Sequence, residues 1–169
     1  MNATLTIETN SPEETRHWGE KLGGLLPANL VIALHGDLGA GKTTLTQGIA
    51  AGFGVTERVT SPTFTLVNEY EVEPKRRLIH IDSYRLGDLA TENQAQAALL
   101  EADTFGLYEI LDDGDAVVLI EWAERVASLL PADHLSISLS HVEDDEEARR
   151  LLLEPGGVDS LSIIQRVNE

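Results

Sequence analysis

Residues 36 to 43, Gly36-Asp37-Leu38-Gly39-Ala40-Gly41-Lys42-Thr43, fit the pattern G-x-x-x-x-G-K-[ST], and their flanks restrict how the rest of the chain can be arranged. Leu30 to Leu34 (LVIAL) precedes the motif as an unbroken apolar run, the pattern of a strand buried on both faces of a parallel sheet. Thr43 to Phe53 follows with a helical pattern, closed by Gly52 and Gly54. A strand, a glycine-rich turn and a helix in that order form a phosphate-binding loop. The glycines let backbone N–H groups turn inward around phosphate oxygens, and the helix N-terminus adds partial positive charge. Gly39, Ala40, Gly41, Lys42, Thr43 and Thr44 are therefore the expected nucleotide-binding residues. Lys42 can reach the β and γ phosphates, and the Thr43 hydroxyl is placed to ligate a magnesium ion that bridges them.

The remaining pattern predicts a three-layer α/β fold of the P-loop NTPase type, with a mixed, largely parallel central sheet, in one domain spanning residues 1–169. Thr4 to Glu8 alternates like a strand. Ser11-Pro12-Glu13-Glu14 then supplies an N-cap, a first-turn proline and a capping-box glutamate. Trp18, Leu22 and Leu25 give the following helix an apolar face that ends near Pro27. Phe64 to Val72 and Leu78 to Tyr84 read as strands, with Leu78, His80, Asp82 and Tyr84 on one face of the second. Gly87 to Asp115 is helical and polar, consistent with two helices. Ala116 to Ile120 (AVVLI) is a second fully buried strand. Leu135 to Leu139 is expected to pair with Arg149 to Leu153 across an acidic turn, Glu143 to Glu147, before a short helix from Asp159 to Val167. Strand order does not follow from these patterns.

A magnesium-dependent P-loop site also needs a carboxylate at the end of a neighbouring buried strand, and Glu121, directly after Ala116 to Ile120, supplies one. Trp122 beside it could be core or contact surface. His80 and Asp82 lie on the same strand face. No third nitrogen ligand occurs at a recognisable spacing, so a transition-metal site is disfavoured. His80 reads as a packed or hydrogen-bonded residue, and Asp82 as the catalytic candidate, a carboxylate placed to orient a water. Thr60-Ser61-Pro62-Thr63-Phe64 is either a plain turn or the loop that senses the γ-phosphate.

Composition removes several classes of function. Twenty-nine acidic against 12 basic residues leave a net charge of −17, which repels phosphate backbones and anionic lipid. Cysteine is absent, so thiolate chemistry and disulfides are excluded and a reducing cytosol fits best. No run approaches the roughly 20 apolar residues that span a bilayer. The N-terminal residues also lack the basic start and apolar run of an export signal.

GDLGAGKTT at 36–44, TSPTF at 60–64, HIDSYRL at 80–86 and LIEWAERV at 119–126 together resemble the TsaE (YjeE) family. The resemblance implies a small cytoplasmic bacterial ATPase, binding ATP and Mg2+, that supports formation of threonylcarbamoyladenosine in tRNA with the TsaB and TsaD proteins, tRNA being contacted only through those partners. It implies that Lys42 and Thr43 hold phosphate and magnesium, that Glu121 is the magnesium carboxylate, and that Lys42, Asp82, Glu121 and Trp122 are needed for activity. Two departures are visible: the segment from Gly87 to Phe105 is longer than the family pattern, and Ala123 stands where a proline is usual. The competing reading is a small P-loop metabolite or nucleotide kinase. Such kinases clamp the transferred phosphoryl group with lid arginines, and no Arg or Lys occurs between Gly87 and Leu119.

Overall fold

The computed structural model describes residues 3–62, 67–72, 74–84 and 106–169. Seven strands, β1 (Leu5–Thr9), β2 (Leu30–His35), β3 (Val67–Val72), β4 (Arg76–Asp82), β5 (Val117–Glu121), β6 (Leu135–Val142) and β7 (Asp145–Pro155), form one sheet in the order β1-β7-β6-β2-β5-β4-β3. The four central strands, β6, β2, β5 and β4, run parallel, and β1, β7 and β3 pair antiparallel at the two sides. The expected mixed sheet with a parallel centre is thus present. β2 and β5 are direct neighbours, with Leu34 opposite Glu121.

Alternation along the buried strands feeds two cores. Leu30, Ile32 and Leu34 of β2 and Val117 and Leu119 of β5 face one side, where α1 (Pro12–Gly23), α2 (Lys42–Phe53) and α4 (Val158–Val167) pack. Val31, Ala33, Val118 and Ile120 face the other side, against α3 (Leu107–Asp113) and a 3-10 segment, Ala123–Leu129. Burial on both faces is why these strands carry no polar alternation.

Local signals set the boundaries. Ser11 Oγ accepts the Glu14 N–H at 3.2 Å, Pro12 opens α1, and the Glu14 carboxylate accepts the Asn10 N–H at 2.7 Å. α1 lies directly on α2. Added Cβ atoms at Gly23 or Gly52 would fall inside the backbone of Ile49 or Glu20 on the facing helix, so only glycine permits this approach.

The expected strand Leu78 to Tyr84 starts earlier and ends at Asp82. There the Asp82 carboxylate accepts the Tyr84 N–H at 2.9 Å and turns the chain out of the sheet. Of the expected strand Phe64 to Val72, Val67–Val72 is β3; residues 64–66 lie outside the described residues, as does the helical expectation for 87–105. The hairpin pairs Ile137 with Leu153 and Leu139 with Leu151, as expected. Its turn is tighter than the acidic run suggests: β7 begins at Asp145, and Asp144 takes a left-handed φ of 64°. The 3-10 segment has no counterpart in the sequence expectations. Among the described residues, no helix is long and apolar enough to cross a membrane.

Candidate active site

All three parallel strands that carry expected site residues, β2, β4 and β5, end on the same edge of the sheet, the usual place for ligands in α/β folds. β2 runs into the glycine-rich loop, where Gly36, Gly39 and Gly41 adopt φ of 143°, 80° and 101°. Side chains other than glycine are strained in that region, so the motif's glycines set the loop's path. α2 then starts at Lys42, which leaves the N–H groups of its first turn without intrahelical acceptors.

A cleft of about 470 Å³ opens at this edge, lined by the loop and the start of α2 together with Ser61, Asp82, Tyr84, Glu121 and Trp122. Of the expected nucleotide-binding residues, Gly39, Gly41, Lys42, Thr43 and Thr44 line it. Ala40 is instead fully buried in the core, and its N–H is bonded to the Asp37 carbonyl at 3.0 Å. Leu38, at the tip of the loop, is 84% exposed.

Lys42 is buried and curls back over its own loop, donating to the carbonyl of Gly36 and, at 2.9 Å, to that of Asp37. Its ammonium also lies 4.0 Å from the centre of the Trp122 ring. Burial lowers the Lys42 pKa below the ordinary lysine value, against the opposing pull of Glu121, Glu124, Asp37 and Asp82. For Glu124 the balance is reversed. Burial pushes its carboxyl up, but the hydrogen bond with His35 at 3.3 Å and the nearby Lys42 charge outweigh it and hold the group below the usual range.

Thr43 and Glu121, 78 residues apart in sequence, meet in the cleft, where the Thr43 hydroxyl donates to Glu121 Oε1 at 3.1 Å. The other carboxylate oxygen, Oε2, lies 2.6 Å from His80 Nε2, and both side chains are almost fully buried. Asp82 stands opposite Glu121 in the β4–β5 register and accepts the Ser61 hydroxyl at 3.3 Å. The Ser61 loop therefore touches the Asp82 carboxylate, while Thr63 and Phe64 lie outside the described residues. Trp122 belongs neither to the core nor to a free surface. Half-buried with a left-handed φ of 59°, it packs 5.0 Å from Tyr84, and Arg125 covers both rings.

Two neighbours of this site carried no expected role in it. His80, within HIDSYRL, was legible only as a packed or hydrogen-bonded residue, without its partner. Arg149 of β7 donates to the Gly39 carbonyl at 3.3 Å and so braces the loop from outside the cleft. Sequence offered no signal for Arg149, since it reaches the loop through the placement of β7 beside β6 and β6 beside β2.

The donor chemistry fits a magnesium–nucleotide complex. A hydroxyl and one or two carboxylates beside a phosphate loop match an ion that keeps most of its waters and takes its other ligands from phosphate. Among the described residues, no three His, Asp or Glu side chains converge as an all-protein metal cage.

A family profile described as "Threonylcarbamoyl adenosine biosynthesis protein TsaE" matches residues 9–151. The tRNA threonylcarbamoyladenosine biosynthesis protein TsaE of Bacillus subtilis is 38% identical over 142 residues, 84% of this chain and 81% of that protein. The protein of the same name from Synechocystis is 42% identical over 115 residues, 68% of each. The crystal structure of Bacillus subtilis YdiB superposes with a TM-score of 0.74 at 30% identity, covering 99% of this chain and 96% of that one. With the profile covering both the phosphate loop and the Glu121 strand, the chain belongs to the TsaE family.

Proposed function

We propose that this protein is a magnesium-dependent ATPase of the cytoplasm, built as one domain, that works in the synthesis of threonylcarbamoyladenosine in tRNA together with TsaB and TsaD. The observation that carries the reading is the 3.1 Å contact between the Thr43 hydroxyl and the Glu121 carboxylate, which joins the phosphate loop to the end of a neighbouring strand. The names of the relatives supply the pathway.

The loop amides and Lys42 bind the phosphates, and Lys42 exchanges its contacts with the loop carbonyls for phosphate oxygens. Thr43 and Glu121 would hold the cation. Magnesium, when bound, neutralises charge on the phosphoryl oxygens during transfer. Asp82 orients the attacking water, and Ser61 couples the loop after α2 to that carboxylate. Trp122 lies on the Lys42 ammonium, so the approach of phosphate to Lys42 alters the surface that Trp122, Tyr84 and Arg125 offer a partner.

An ATPase assay tests this on the protein alone, with TsaB and TsaD added, and with small phosphoryl acceptors added instead. The expected result is slow turnover alone and stimulation by TsaB and TsaD together. Stimulation by an acceptor but not by these proteins would replace the reading with a kinase. In the stimulated reaction Asp82→Asn is expected to lower turnover by about a hundredfold or more while ATP still binds, as measured by calorimetry.

A further inference from the structure

The least explained buried group at the site is His80. It sits on β4 with no exposed surface, its Nδ1 has no hydrogen-bond partner among the described residues, and its Nε2 meets Glu121 Oε2 at 2.6 Å. An apolar residue would satisfy the packing of a strand buried on both faces without leaving a ring nitrogen unpaired, so the fold alone gives no reason for histidine here. Glu121 gives one. Its carboxylate is 4% exposed, and a buried carboxylate needs donors on its oxygens. Thr43 serves Oε1 and His80 serves Oε2. Glutamate has one more side-chain torsion than the aspartate common at this point of P-loop sites, so its carboxylate plane must be fixed by contacts.

We infer that His80 is a positioning residue for the cation. Its Nε2–H clamps Oε2, which orients the carboxylate with Oε1 toward Thr43 and so presents the hydroxyl and the carboxylate together to a divalent ion. His80 itself touches neither ion nor nucleotide. The inference rests on the proposed magnesium–nucleotide reading and assigns within it the group that holds Glu121 in place.

Calorimetric binding of ADP and of a non-hydrolysable ATP analogue, each with and without magnesium, separates the two claims. The wild type should gain affinity from magnesium. His80→Leu should bind nucleotide without magnesium as the wild type does, yet lose about tenfold or more of the magnesium-dependent gain, the usual effect of removing a group that orients a metal ligand. His80→Gln, whose amide nitrogen can take the place of Nε2, should restore most of that gain. His80→Asn, whose amide is too short to reach Glu121 Oε2, should not, and it serves as the comparison without a donor in reach if the leucine variant fails to fold. In a Glu121→Ala background, His80→Leu should change nothing further. A magnesium-dependent gain that survives in both the leucine and asparagine variants, or an equal loss with Glu121 already removed, would overturn the positioning role alone. A wild-type protein that binds nucleotide with no gain from magnesium would overturn the proposed function and this inference with it.

Discussion

Lys42 carries a cost that its position makes useful. An ammonium taken out of water is destabilising unless paired, and the Lys42 ammonium donates to two neutral carbonyls, those of Gly36 and Asp37, with Trp122 over it. Lys42→Met is therefore expected to raise the unfolding free energy of the nucleotide-free protein by about 1 kcal/mol while removing nucleotide binding, a trade between stability and activity. The pH dependence has a definite sign. Folding lowers the Lys42 pKa, so the unfolded chain keeps its proton up to about 10.5 while the folded chain releases it earlier. The penalty is fully present below the folded value and is relieved as pH rises toward 10.5. Denaturant midpoints of wild type and Lys42→Met should then converge with rising pH, and a constant difference would show that charge burial is not the cause.

The decisive contact between elements is the crossing of α1 and α2, because α2 carries the site's Lys42 and Thr43. At Gly23 and Gly52 the two backbones touch, and a methyl group has no space unless the helices separate. Gly23→Ala should cost about 3 kcal/mol, the upper end for overpacking, and should weaken nucleotide binding by displacing α2. Thermal unfolding and ADP titration on the same sample would check both effects. α4 is fixed differently. The Asp133 carboxylate accepts the N–H groups of Asp159 and Ser160 at 2.8 and 3.2 Å and the Ser160 hydroxyl at 2.6 Å. Burial raises the Asp133 pKa, but these hydrogen bonds outweigh it and lower the value below 3.8. Asp133→Ala should cost about 1 kcal/mol at neutral pH. Because the folded pKa is depressed, that difference is present above about 3.8 and vanishes as pH falls through the folded value, which acid titration of both proteins would reveal.

At the scale of the molecule, charge governs what the protein can approach. A net charge of −17 repels a phosphate backbone, so bare tRNA should fail to bind at 0.15 M salt, roughly physiological ionic strength. Fluorescence anisotropy with labelled tRNA measures this. Tight binding would require the RNA contact to lie in this chain rather than in its partners. The parallel centre of the sheet gathers the ends of β2, β4 and β5 on one edge, and the cleft opens there.

Elements whose signal is local were legible along the chain. Leu30 to Leu34 and Ala116 to Ile120 are unbroken apolar runs because both faces are buried, and the glycine spacing of residues 36 to 41 is dictated by backbone dihedral angles, which depend on each residue and its neighbours. The need of a phosphate loop for a nearby carboxylate already put the Glu121 strand close to Thr43, but the actual order of the strands emerges only in the folded sheet. The pairing of β2 with β5 brings Glu121 to Thr43, only β4 beside β5 sets His80 against Glu121, and only β7 beside β6 carries Arg149 to the loop at Gly39. The ends of elements were less legible for the same reason. Asp82 stops β4 by accepting the Tyr84 N–H, and Trp122 turns into a left-handed conformation where its ring meets Lys42 and Tyr84. Both depend on side chains that meet only after the sheet has assembled, and periodicity along the chain carries no record of contacts between residues far apart in it.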